Sequence, residues 1–71
     1  MNLSIQDLIQ IIANGGGVEI DAANYSTQDL SHMAANARNS GAHLVFYNAQ
    51  TKSTPELVQI AANGKAHVLF R

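Results

Sequence analysis

The chain has 71 residues, 46% of them hydrophobic, a formal net charge of −1 and no cysteine. That length holds one domain near the lower limit for independent folding, where only about 60% of the unfolded surface becomes buried. Four basic residues, Arg38, Lys52, Lys65 and Arg71, are too few and too scattered for a nucleic-acid or anionic-membrane binder, and without cysteine there is neither a disulfide nor a thiolate zinc site.

The first predicted element is a helix over 4–14, opened by Ser4-Ile5-Gln6-Asp7. Ile5, Leu8, Ile9, Ile11 and Ile12 cover a wider arc than one contact face requires, as expected of a terminal helix that touches a sheet and a neighbouring helix, or in part a partner. Asn14-Gly15 ends it. The run Gly15-Gly16-Gly17 comes after a helix and before a strand, the reverse of a phosphate cradle, and is read as a C-cap and turn. Val18-Glu19-Ile20-Asp21 alternates apolar with acidic residues, as a strand with one wet face does. Residues 22–25 lead to a second helix over 26–38, stopped by Asn39-Ser40-Gly41, and 42–47 form a second strand. A polar loop, 48–52, precedes a third helix over 54–63 and a third strand over 66–70, with Gly64 expected in the left-handed conformation between them.

These elements are three copies of one helix–strand unit, at about 3–21, 25–47 and 52–71 of a single domain spanning 1–71. Ser4/Asp7, Ser26/Asp29 and Ser53/Glu56 are capping boxes in which the hydroxyl accepts a first-turn N–H and the carboxylate reaches back. In the third copy Thr54 is an alternative cap, with Pro55 at the first helical position. Leu8, Leu30 and Leu57 start the buried stripe, continued by Ile11/Ile12, Met33/Ala34 and Ile60/Ala61.

Strand–helix–strand crossovers are parallel and right-handed. The expected fold is therefore α/β: a parallel three-stranded sheet in order 1-2-3 with helices on one face, a short solenoid-like half-barrel. Repeat matching sets the first helix beside the second. Val18/Ile20, Leu44/Phe46 and Val68/Phe70 then face the helices, and the outer face carries the rows Gly17/His43/His67, Glu19/Val45/Leu69 and Asp21/Tyr47/Arg71. The alternation resembles leucine-rich-type solenoids in shape; their strand consensus is missing, and the likeness implies no function.

Parallel sheets are normally covered on both faces, and three helices on one side leave the other bare. The last strand is also expected to present an open edge, because the chain ends at Arg71. His43, Val45, Tyr47, His67, Leu69 and Arg71 are accordingly assigned as an interaction surface for a protein, either a second copy in a homodimer or an unidentified partner, with no nucleic acid and no membrane. The alternative is a small-ligand or metal-binding domain. It would use His43 and His67, about 5 Å apart on adjacent strands, with Glu19 as a third ligand, or the carboxyl edge of the sheet with Asp21, Tyr25, Asn48 and Lys52. Solvated or interface histidines are the preferred reading, so no metal and no cofactor is assigned; His32 is expected to point outward. No paired carboxylates and no Ser–His–acid set stand out, and a chain this small has little room for an enclosed pocket, so no enzyme is expected. No apolar stretch reaches membrane-spanning length and Asp7 interrupts the first one, which predicts a soluble cytoplasmic protein.

Overall fold

The structure, a computed structural model, describes residues 4–71; Leu3, the expected start of the first repeat, lies outside them. Three helices, α1 (Ile5–Ala13), α2 (Thr27–Ser40) and α3 (Thr54–Gly64), alternate with three strands, β1 (Val18–Asp21), β2 (Leu44–Tyr47) and β3 (Val68–Phe70). The sheet is parallel in order β1-β2-β3, and α2 packs between α1 and α3. This is the expected α/β arrangement. Single 3₁₀ turns at Ala22–Asn24, Ala49–Thr51 and Lys65–His67 fill what the sequence left as connections and the start of the third strand.

Each helix begins where its serine predicts. Ser4, Ser26 and Ser53 are the N-caps, accepting the N–H of Asp7, Asp29 and Glu56. Ser53, not Thr54, caps the third helix. The carboxylates of Asp7 and Glu56 return to the cap N–H, whereas that of Asp29 does not, so the second box is half formed. Exits differ more. Gly15 (φ 93) and Gly41 (φ 83) take the left-handed conformation that glycine adopts without strain. Because Gly41 is the first residue to do so, Asn39 and Ser40 stay helical and α2 runs past its expected end.

The third exit departs from the Asn-Gly rule. Gly64 remains right-handed (φ −96) and Lys65 carries the positive φ of 54. A Cβ on Gly64 would stand 2.7 Å from Val68 Cγ1 and 3.0 Å from Ala34 Cβ. The glycine is thus required by the close approach of α3 to α2 and β3, and the reversal of chain direction passes to the next residue.

The core lies between the helix layer and one sheet face. Phe46, Ile12, Leu30, Met33, Leu44 and Ile60 are fully buried there, each such side chain stabilising the fold by about 1.5–3 kcal/mol. Ala34 and Ala37 on α2 are fully buried as well, Ala34 lying against Gly64 of α3. Leu57 and Ala61 on α3 are only half-buried.

Candidate functional site

The outer sheet face follows from the strand register. Glu19 aligns with Val45 and Val45 with Leu69, and Asp21 aligns with Tyr47. Period-two alternation turns these residues away from the helices because their neighbours Ile20, Leu44 and Phe46 are committed to the core. Leu69 is 52% exposed and Tyr47 41%, with half-buried Val45 between them. No described helix covers this face. One feature was not foreseen: Arg71 Nη1 approaches Glu19 Oε1 at 3.7 Å, although the two residues belong to the rims on either side of β2. Both side chains are mostly exposed, so the pair contributes little to stability. It crosses the apolar centre without closing it.

At the other end of the face, His43 and His67 stack with ring centroids 5.0 Å apart and planes inclined by 29°. His67 Nδ1 lies 3.0 Å from the carbonyl oxygen of Ala42. A carbonyl only accepts, so Nδ1 of His67 is the donor in this contact. The third ligand considered from sequence, Glu19, belongs to the next row and pairs with Arg71. Among the described residues no group of three or more His, Asp or Glu side chains could hold a metal ion.

The carboxyl edge is cross-linked internally. Asn48 Nδ2 donates to Asp21 Oδ1 at 3.0 Å, and the same oxygen accepts the Ala23 N–H at 2.9 Å. Lys52 Nζ donates to the carbonyl oxygen of Tyr25 at 2.7 Å. The four residues singled out there are therefore brought together in two pairs, each joining the loop after β1 to the loop after β2. Glu56 completes the edge. Its carboxyl pKa is lowered from the ordinary 4.5 to about 2, first by the Thr27 hydroxyl, then by the backbone N–H and side chain of Ser53, with a smaller contribution from Lys52.

Sequence reasoning missed a cleft of about 500 Å³ beside the outer edge of β1, lined among others by Leu8, Ile11, Val18, Asp21 and Tyr25. Its only signal was the surplus apolar arc of the first helix. Among the described residues no helix is long and apolar enough to cross a membrane. Comparison with protein-family models, with curated proteins and with solved structures finds no match to this chain.

Proposed function

We propose that this is a non-catalytic interaction module of the cytoplasm that pairs with a second copy of itself through the outer sheet face. The single observation that carries this is the row of Val45 and Leu69, with Tyr47 beside it, left uncovered on a parallel sheet. Two sheets packed face to face about 10 Å apart would remove these side chains from water. His43, His67 and Arg71 would then form the polar surround of the contact, where charged and aromatic groups stay partly wet.

Amide spectra recorded from dilute to concentrated solution test the proposal residue by residue. Concentration-dependent shifts are expected at Val45, Tyr47 and Leu69 and are expected to vanish in the Val45→Lys/Leu69→Lys variant. Spectra that stay constant at those positions contradict it.

The stacked His43–His67 pair supports a second reading, a site for a small ligand or a divalent ion such as zinc or nickel. A ligand that binds only the folded chain raises its melting midpoint. An unchanged midpoint with zinc and nickel removes this reading and leaves the first untouched.

A further inference from the structure

The three helices occupy equivalent places in the repeat but not equivalent environments. On α2, Thr27, Ser31 and Ala34 form the side toward α3: the Thr27 hydroxyl donates to Glu56, and Ala34 lies against Gly64. On α1 the matching positions are Ile5, Ile9 and Ile12, which are half-buried or buried, with the carbonyl of Ile12 accepting the Ser40 hydroxyl of α2 at 2.6 Å. On α3 they are Thr54, Val58 and Ala61. Val58 is 61% exposed, while its counterpart Ser31 is buried.

The opposite side shows the converse. Met33 and Ile60, which occupy one repeat position, are both fully buried, and helical spacing sets that position away from the flank turned to the following unit. Their counterpart Ile11 is 38% exposed and lines a shallow depression with Asp7, Gln10 and Asn14. Repeat arrays end in units with polar outer sides. Here both ends of the described array are apolar at the positions that the interior repeats bury.

We propose that copies of this chain add head to tail, β1 and α1 of one copy seating on β3 and α3 of the next, so that each contact repeats the α1–α2 and α2–α3 packing already present within the chain. The occupant is fixed by that continuity: the two ends are the two halves of an interface the chain itself makes twice. The sheet can follow. Arg71 directs both its N–H and its carbonyl toward the β2 side, to Phe46 and Ala49, so alternation turns those of Phe70 and Val68 to the free edge of β3. The edge of β1 away from β2 opens into the 500 Å³ cleft beside Ile11, where an added parallel strand would lie. The polar contact has a counterpart as well. Within the chain, Glu56 caps its own helix with Oε1 and accepts Thr27 with Oε2. Asp7 caps with Oδ2 and keeps Oδ1 for Thr54 of the next copy. Such a contact joins unlike surfaces and does not close on itself at two copies. It rests on the flanks of Ile11 and Val58 and on the strand edges rather than on the outward side chains of Val45 and Leu69, and either association can fail without the other.

The test uses the Val45→Lys/Leu69→Lys chain, in which the sheet face is blocked, in sedimentation velocity over a range of concentrations. The expected result is a series of species growing by single-chain steps. Adding Ile11→Lys, or Val58→Lys, is expected to leave only monomer, and mixing these two end-blocked chains to give a one-to-one dimer and nothing larger. Gln10→Arg, in the same depression, replaces Ile11→Lys if that variant lowers the melting midpoint. In the parent chain the same end variants are expected to reduce any larger assembly to at most a dimer. A blocked-face chain that stays monomeric at every concentration, end variants that still form the series, or a mixture that stays monomeric each overturn the proposal.

Discussion

Thr27 Oγ1 donates a 2.6 Å hydrogen bond to Glu56 Oε2, tying the first turn of α2 to the first turn of α3. Glu56 thereby serves two elements at once, as the return arm of its own capping box and as the acceptor for the helix before it. The carboxylate form makes both sets of contacts, and the pKa of about 2 expresses that preference.

Acid should therefore weaken this junction in a defined window. The folded-state pKa lies below the ordinary 4.5, so the contribution is fully present above pH 4.5 and is lost as the pH falls toward 2. Melting midpoints of the parent are expected to drop across that interval, and those of Glu56→Gln to start lower at neutral pH and drop less. Thr27→Val, which removes the largest cause of the shift, should raise the lower end of the window and make the drop smaller. Parallel profiles for parent and Glu56→Gln would show that another carboxylate governs acid stability.

Phe46 sits on the central strand at 0% exposure, with its ring 6.3 Å from that of Phe70. Truncating a buried phenylalanine costs about 3–5 kcal/mol, and a chain of this size has roughly 4–10 kcal/mol of stability in total. Phe46→Ala should leave little or no cooperative melt at 37 °C. A midpoint within a few degrees of the parent would remove Phe46 from the centre of the core.

Gly64 sets two effects against each other. Alanine gains about 1 kcal/mol of helix propensity over glycine, but its Cβ would meet a stiff Val68 methyl and the Cβ of Ala34 at or below 3.0 Å. Overpacking of that kind costs about 1–3 kcal/mol. Gly64→Ala is expected to lower the melting midpoint, and a rise would mean that α3 can move away from α2 without loss.

The register of the sheet was legible because the repeat aligns equivalent strand residues. Glu19/Val45/Leu69 forms one row, as the repeat predicts, and the stacking distance of His43 and His67 follows from it. The helix starts were legible because Ser plus an acid three residues later acts locally. The exit of α3 was not: Asn14-Gly15 and Asn63-Gly64 look alike, and only the approach of Val68 and Ala34 distinguishes them. Nor were the partners of Asp21 and Lys52, since Asn48 and the Tyr25 carbonyl reach them only after two loops have folded side by side. Ile11 read only as part of a surplus apolar arc in sequence, and Val58 carried no signal there; their exposure follows from which side of each helix the next repeat covers.

Sedimentation equilibrium of the Ile11→Lys chain, in which contact between repeat ends is blocked, tests the sheet-face claim most directly when run beside the same chain carrying Val45→Lys and Leu69→Lys. The predicted result is a dimer for the first and a monomer for the second, with equal melting midpoints at dilution, because neither Val45 nor Leu69 belongs to the buried core. A monomer for the first chain at the highest concentration reached would contradict the account.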